Sequence, residues 1–160
     1  MQTAKLQTVY LLLGSNLGKK EQILEKSIEL IHKKIGVIAS QSKYYETAAW
    51  GKTDQPNFLN IAVCVHTSLL PLEVLEQTQA IENQLGRVRI EKWGARLIDI
   101  DIIFYDQEII DIPHRLQVPH PLVQERIFAL EPLAEIAGEY VHPVLKKTVE
   151  ELLYILNDNR

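Results

Sequence analysis

The chain has little of what several classes of protein require. Of its 160 residues only Cys64 is a cysteine, so it cannot form an internal disulfide, which fits a reducing compartment. A formal net charge of -4 argues against a nucleic-acid binder that depends on bulk positive charge. No stretch approaches the roughly 20 apolar residues of a membrane span, and no signal-peptide pattern is present. We therefore expect a cytoplasmic protein without a nucleic-acid or membrane partner.

The composition is that of an ordinary globular domain. Hydrophobic residues make up 46% and charged residues 24% of the chain, which is long enough to bury a core. The seven prolines and seven glycines are scattered, with no linker, repeat or low-complexity segment. These features predict a single domain over residues 1–160. Cys64 lies in an apolar stretch that reads as a buried strand, so we interpret it as a core residue.

Hydrophobic periodicity predicts the order β-α-β-β-α-β. The predicted strands cover 8–13, 37–47, 58–67 and 97–105, and the helices cover 20–33 and 71–85. This order indicates an α+β, ferredoxin-like core, an antiparallel sheet with helices packed on one face. The predicted C-terminal additions are short strands at 108–110 and 116–118, short helices at 121–125 and 128–137, and a helix at 149–156.

Asp99 and Asp101 form the strongest chemical signal. Side chains alternate along a strand, so both carboxylates share one face, while Ile98, Ile100 and Ile102 point to the core. Two adjacent anions repel each other unless a cation joins them, and Mg²⁺ takes one or two carboxylates together with substrate phosphates. The alternative is a solvated pair on an exposed edge. The apolar opposite face favours a central strand and a metal site.

Four basic residues precede this acid pair. Three lie in the predicted loop 86–94, and the fourth lies between that loop and Asp99. Arg87, Arg89, Lys92 and Arg96 could form an ordinary solvated surface. They are also typical of a lid that closes on a nucleotide, because arginines neutralise charge on a transferring phosphoryl group. Together with the acid pair, they indicate polyphosphate chemistry.

The stretch from Gly14 to Lys20 resembles a phosphate-binding loop only superficially. Its glycine spacing is one residue short, and neither serine nor threonine follows the lysine. It favours a strand-to-helix turn with Ser15 or Asn16 near the helix cap, with some room for a backbone role near the substrate.

Single histidines and aromatic residues are weaker signals. His120 lies between Pro119 and Pro121, which stiffen its backbone, yet a lone histidine is more often a surface or capping residue. Taken alone, Phe58 and Phe128 favour the core. The loop residues Trp50 and Trp93 favour contact with a ligand.

At this point the chain resembles the 6-hydroxymethyl-7,8-dihydropterin pyrophosphokinase family. The stretch Trp93-Gly94-x-Arg96-x-x-Asp99-x-Asp101 is similar to the family signature. Other similar motifs follow in order over nearly the whole chain: Gly14-Ser15-Asn16, Glu46-Thr47, Gln55-Pro56-x-Phe58-x-Asn60, Gln79-x-x-Glu82, Gly86-Arg87-x-Arg89, Val118-Pro119-His120-Pro121 and Arg126-x-Phe128-x-x-x-Pro132-Leu133.

The resemblance implies a single pyrophosphokinase domain of folate biosynthesis. In the implied reaction the hydroxyl of the pterin attacks the β-phosphorus of ATP, giving AMP and the pterin diphosphate. The residue pattern alone does not distinguish attack on the β- from attack on the γ-phosphorus. By resemblance, Asp99 and Asp101 hold two Mg²⁺ ions, and Arg87 and Arg96 are catalytic residues that engage the phosphates.

The resemblance also implies two sets of binding residues. The ATP-binding set is Gln79, Glu82, Arg87, Arg89, Trp93, Arg96, Ile102, Arg115, Leu116, Gln117, His120 and Arg126. The pterin-binding set is Thr47, Ala48, Trp50, Phe58, Asn60, Trp93, Asp99 and Phe128. Two alternatives stay open: a non-catalytic nucleotide- or pterin-binding module, against which the intact acid pair speaks, and a ferredoxin-like nucleic-acid binder, against which the charge speaks.

Overall fold

Seven strands, four α-helices and one short 3-10 helix make up the described part of the chain, residues 5–16, 18–47, 57–86 and 98–159 of this computed structural model. In chain order they are β1 Gln7–Ser15, α1 Lys20–Lys34, β2 Gly36–Gln41, β3 Tyr45–Thr47, β4 Phe58–Thr67, α2 Pro71–Gly86, β5 Asp99–Tyr105, β6 Ile110–Ile112, β7 Leu116–Val118, the 3-10 helix Val123–Glu125, α3 Ile127–Ala137 and α4 Val149–Asp158. None of the helices in these ranges has the length and apolar character needed to cross a membrane.

The main sheet has the predicted ferredoxin-like topology. Its strand order is β2-β4-β1-β5, with β3 pairing a further part of β4, and every pair is antiparallel. Strands β6 and β7 form a separate hairpin. The α+β prediction is therefore confirmed.

The predicted strand 37–47 is interrupted in the structure. Ser42 lies between β2 and β3 and is almost fully buried. Its backbone N–H donates to the Ala62 carbonyl at 2.9 Å, and its hydroxyl accepts from the Ala62 N–H at 3.0 Å. A side-chain hydrogen bond thus replaces one ladder bond, and the strand breaks there.

Helices α1 and α2 of the ferredoxin-like core pack on one face of the sheet, as predicted, and the C-terminal helices α3 and α4 cover part of the other face. Helices α1 and α2 pack on the face that carries Leu11 and Ile100. Helices α3 and α4 pack on the opposite face, against Leu12 and Phe104 among others. The physical reason is that the central strands are apolar on both faces. Cys64 is buried in β4, as expected.

The acid-bearing strand β5 lies at the end of the sheet order, so the prediction of a central strand was wrong. Within the described residues, single groups rather than a strand meet its outer edge. The Ile100 N–H donates to Glu82 Oε2 at 2.7 Å, and the His120 N–H donates to the Ile103 carbonyl at 3.0 Å. The strand reads as central because α1 and α2 bury Ile98, Ile100 and Ile102 on one face, and α3 and α4 bury Ile103 and Phe104 on the other.

The chain passes from β1 to α1 after Ser15, as the predicted strand-to-helix turn requires, but a different residue caps the helix. Ser15 is the last residue of β1 and is buried, and the residue that caps α1 is Lys19, which makes no side-chain capping hydrogen bond. Neither Ser15 nor Asn16 therefore occupies the cap position.

Candidate active site

A cavity of about 440 Å³ opens on the part of the second face that α3 and α4 leave uncovered. Strands β1, β3, β4 and β5 and the start of α3 contribute its walls. Its lining residues are Leu12, Gly14, Thr47, Phe58, Asn60, Asp99, Asp101, Glu125, Arg126 and Phe128. We call it the first cavity.

Two aromatic rings and a buried amide define the chemistry of the first cavity. Phe58 begins β4 and Phe128 lies in the first turn of α3. Asn60 is 4% exposed, and its Nδ2 donates to Thr47 Oγ1 at 3.2 Å. The Arg126 guanidinium carbon lies 5.6 Å from the centroid of the Phe128 ring, within the range of a cation–π contact. Such walls suit a flat, polar heterocycle.

Lys20 of α1 contacts the residues that directly precede Thr47 and Phe58. Lys20 Nζ donates to the Asn57 carbonyl at 2.9 Å and lies 3.8 Å from Glu46 Oε2. Asn57 directly precedes Phe58, and Glu46 directly precedes Thr47. One side chain therefore contacts β3 and the residue that precedes β4, next to two residues that line the first cavity.

A second cavity of about 680 Å³ lies between β5 and the β6–β7 hairpin. It is lined by Leu75, Ile100, Asp101, Ile102, Asp111, Pro113, His114, Arg115, Leu116, Gln117, His120 and Pro121. Arg115 and His120 give it cationic and hydrogen-bonding groups, and Asp111 pairs with Gln117 across the hairpin. These residues and the larger volume make the second cavity better suited than the first to a larger, anionic ligand.

Asp101 lines both cavities, whereas Asp99 lines only the first. Both carboxylates therefore lie on the same face of β5, as the strand period predicts. Asp101 is half-buried and Asp99 is exposed. The acid pair thus lies where a ligand in one cavity would meet a ligand in the other.

The acid pair has the donor chemistry of a magnesium site completed by substrate. Among the described residues, no group of three or more histidine, cysteine, aspartate or glutamate side chains could hold a metal by itself. Mg²⁺ is commonly bound by one or two carboxylates plus substrate phosphates, with water in the other positions. Two carboxylates at the junction of two cavities fit that requirement.

His120 lies near Asp101 in the second cavity, where its surroundings disfavour the charged form of the ring. Burial lowers its pKa, and Arg126 lowers it further, while Asp101 opposes them. The His120 Nδ1 accepts a hydrogen bond from the Leu122 N–H at 3.2 Å, so the neutral ring carries its proton on Nε2. The imidazole can therefore donate a hydrogen bond without adding charge.

The structure brings most of the described site residues into the two cavities. The pterin-set members Thr47, Phe58, Asn60, Asp99 and Phe128 line the first, and Arg126, assigned to ATP by resemblance, lies there too. The ATP-set members Ile102, Arg115, Leu116, Gln117 and His120 line the second. Gln79 and Glu82 line neither cavity. Ala48, Trp50, Arg87, Arg89, Trp93 and Arg96 lie outside the described residues.

Sequence reasoning missed Glu125 and Asp111. Glu125 directly precedes Arg126 and is carried into the first cavity by the 3-10 helix, so its position beside a motif residue was an available signal. Asp111 reaches the second cavity through the hairpin register that pairs it with Gln117. No local pattern in the sequence indicates that register.

Comparison with known proteins decides the family. The model of the family described as 7,8-dihydro-6-hydroxymethylpterin-pyrophosphokinase matches residues 10–138, which include every described lining residue of both cavities. The chain belongs to this family. The pyrophosphokinase acts on 6-hydroxymethyl-7,8-dihydropterin in folate biosynthesis, with ATP as co-substrate.

Two bacterial relatives cover most of their length. The 2-amino-4-hydroxy-6-hydroxymethyldihydropteridine pyrophosphokinase of Bacillus subtilis (strain 168) is 48% identical over 131 residues, 81% of this chain and 78% of that one. The protein of the same name from Aquifex aeolicus (strain VF5) is 42% identical over 146 residues, 91% of this chain and 90% of that one.

A solved structure supports the fold. The Plasmodium falciparum HPPK-DHPS wild type, solved with pterin and p-hydroxybenzoate, superposes with a TM-score of 0.79 at 20% identity over 99% of this chain. The chain spans 44% of that longer protein. At this identity the likeness shows the shared fold alone.

Proposed function

We propose that the first cavity binds the pterin, that the second binds ATP, and that diphosphate is transferred where they meet. The observation that carries this assignment is the position of Asp101, whose side chain lines both cavities. A transfer reaction needs its two substrates in contact at one point, with the reacting groups held in line.

The first cavity suits the pterin ring. Phe58 and Phe128 supply two aromatic surfaces for a flat heterocycle, and Asn60 and Thr47 supply polar groups at its edge. Ala48 and Trp50 stay predicted contacts. Asp99 also lines this cavity, where the hydroxymethyl group of the pterin would meet it.

The second cavity suits the nucleotide. Ile102, Arg115, Leu116 and Gln117 line it, and His120 would donate from Nε2 to a phosphate oxygen. Arg126 lies close enough to His120 to lower its pKa, and so places a positive charge near the junction. Contacts from Gln79, Glu82, Arg87, Arg89, Trp93 and Arg96 stay predictions.

Asp99 and Asp101 are the residues that would hold Mg²⁺, two ions by resemblance. When bound, the metal supplies positive charge that neutralises and orients the phosphates. The protein's own part is to present two rigid carboxylates from a strand anchored on both of its edges.

In the proposed reaction the hydroxymethyl oxygen forms a bond to the β-phosphorus of ATP. The bond from that phosphorus to the α,β-bridging oxygen breaks, and AMP leaves with the electron pair. The β- and γ-phosphates end on the pterin, and the hydroxyl proton is released. Arg126 and the imidazole of His120 are placed to stabilise charge on the phosphates during transfer. The cytoplasmic location and the absence of nucleic-acid and membrane partners stay predictions from the sequence.

Product analysis tests the reaction. The protein is mixed with ATP, Mg²⁺ and 6-hydroxymethyl-7,8-dihydropterin, and the nucleotides are resolved by chromatography. AMP formed in step with pterin diphosphate supports transfer of diphosphate. ADP would instead show γ-phosphoryl transfer, and binding of ATP without turnover would favour a non-catalytic module.

Asp101→Asn tests the junction. We expect turnover to fall by roughly 100-fold or more, because the metal contributes several kcal/mol and each 1.4 kcal/mol is about tenfold in rate. Asp158→Asn is the control, since Asp158 is exposed at the end of α4 and outside both cavities. A near-normal rate for Asp101→Asn would contradict the assignment.

A further inference from the structure

At the outer edge of β5, a backbone N–H has no acceptor in any strand of the described residues. In the pairing of β1 with β5, Leu12 lies opposite Asp101, Leu13 opposite Ile100 and Gly14 opposite Asp99. Successive N–H groups of a strand point to opposite edges, and that of Ile100 points away from β1. Its acceptor is the Oε2 of Glu82, at 2.7 Å.

This hydrogen bond lies at the middle of the acid pair. Ile100 separates Asp99 from Asp101, and its own side chain is 6% exposed in the core under α1 and α2. The backbone of the three residues is thus held by β1 on one edge and by Glu82 on the other. A carboxylate acceptor makes a stronger hydrogen bond than a neutral one, so this anchor is firmer than an ordinary edge contact.

Glu82 is itself held by a rigid element. It lies on α2 between Ile81 and Leu85, both of which are buried in the same core as Ile98 and Ile100. The helix therefore delivers the carboxylate to the strand edge from a packed position. In the part of the chain that the structure describes, Glu82 lines neither cavity, and its carboxylate contacts the backbone of β5.

We propose that Glu82 is a positioning residue, which sets the direction of Asp99 and Asp101 by binding the Ile100 N–H. The inference deepens the proposed function and depends on it for its catalytic consequence. Loss of the carboxylate would leave the Ile100 N–H to water and allow the acid-bearing segment to shift at its outer edge. Small shifts of rigidly held groups have large effects on turnover.

The test compares Glu82→Ala and Glu82→Gln with the wild type. Glutamine keeps an oxygen that can accept from Ile100, whereas alanine has none. Glu76→Ala is the matched control, because Glu76 is an exposed glutamate on the same helix. Three experiments are done. They measure the exchange rate of the Ile100 amide proton in the ligand-free protein, the affinity for Mn²⁺ in the presence of α,β-methylene-ATP, and the steady-state kcat with the KM for each substrate.

For Glu82→Ala we expect Ile100 exchange at least about 10-fold faster, with unchanged exchange of the β4 amides. Mn²⁺ affinity and kcat should each fall by about 10-fold or more, while the KM for the pterin stays within about twofold. Glu82→Gln should recover most of each loss, and Glu76→Ala should match the wild type.

Unchanged Ile100 exchange in Glu82→Ala would overturn the inference, as would faster exchange with full Mn²⁺ affinity and kcat. Faster exchange throughout β4 would also overturn it, since that result indicates general destabilisation. A rise in the KM for ATP alone would assign Glu82 to the nucleotide instead. A wild type that forms no AMP would refute the proposed function, while the exchange of Ile100 would still report on the anchor itself.

Discussion

The space of the first cavity depends on glycine at position 14, because any side chain there would meet Asn60. It lies opposite Asn60 in β4 and opposite Asp99 in β5, so it separates the amide and the carboxylate of the site. A Cβ at Gly14 would lie 2.7 Å from Asn60 Oδ1, which is closer than such atoms approach without movement. The cavity therefore needs glycine for space.

Gly14→Ala should raise the KM for the pterin by about 10-fold or more, because Asn60 must move and overpacking of this kind costs about 1–3 kcal/mol. The KM for ATP should stay within about twofold, since Gly14 does not line the second cavity. Steady-state kinetics with each substrate varied in turn measures both values.

Gly36→Ala is the comparison for this prediction. There the Cβ would lie 2.1 Å from the His66 carbonyl oxygen, a backbone atom, at the other end of β4. It should lower the free energy of unfolding and leave the KM of the folded protein unchanged. Equal effects of the two variants on the KM for the pterin would contradict the role given to Gly14.

At the scale of elements, α4 begins with a complete capping box. The Thr148 hydroxyl accepts from the Glu151 N–H at 3.0 Å, and Glu151 Oε1 accepts from the Thr148 N–H at 2.8 Å. These bonds satisfy two N–H groups at the start of the helix. They direct Val149 and Leu152 into the core that supports Phe104.

Thr148→Ala should lower the free energy of unfolding by about 1 kcal/mol, the usual cost of a lost N-cap. Urea unfolding measures the change, and Glu150→Gln in the same turn is the control. Because α4 lies outside both cavities, kcat and both KM values should be unchanged. A loss of activity at full stability would show that α4 acts on the site.

The same capping box has a pH dependence. The hydrogen bond from the Thr148 backbone, with a further one to its side chain, lowers the pKa of Glu151. The stabilisation is therefore present above the pKa of the unfolded chain and is lost as the pH falls through the lower folded value. The cap weakens only in acid.

At the scale of the whole molecule, a buried histidine makes the stability depend on pH closer to neutrality than the capping box does. His142 is 4% exposed, its Nδ1 accepts from the Val144 and Leu145 N–H groups at 3.2 and 3.1 Å, and its ring meets Phe104 edge-on. Burial lowers its pKa from 6.5. Protonation would remove the acceptor and place a charge in the core.

Thermal stability should therefore fall as the pH decreases from about 6.5, since the unfolded chain then binds a proton that the folded chain resists. His142→Asn keeps an acceptor and should make the melting temperature less dependent on pH. Calorimetry between about pH 7 and pH 5 measures the slope. His120, whose pKa burial also lowers, contributes with the same sign, so a residual slope is expected.

The same substitution at the exposed His32 is the control for this prediction. If His142→Asn and His32→Asn both keep the wild-type slope, His142 does not set the pH dependence of folding.

The local pattern of the sequence determined the order of helices and strands in the core. It also determined that Asp99 and Asp101 lie on the same face of a strand. The alternation of Asp99 and Asp101 with Ile98, Ile100 and Ile102 reports a strand with one carboxylate face, and the structure has that face. The βαββαβ order likewise follows from the sequence, because the spacing of apolar residues within each segment indicates a helix or a strand.

Only the tertiary structure decided that β5 ends the sheet, that α3 and α4 cover part of its second face, and that Asp101 lines two cavities. Glu82 meets Ile100 from 18 residues away, and Asp111 reaches its cavity through the hairpin register. These contacts join residues of different helices and strands, so they follow no helical or strand repeat along the chain. They arise from the packing of helices on the sheet, so the sequence pattern at either partner does not reveal them.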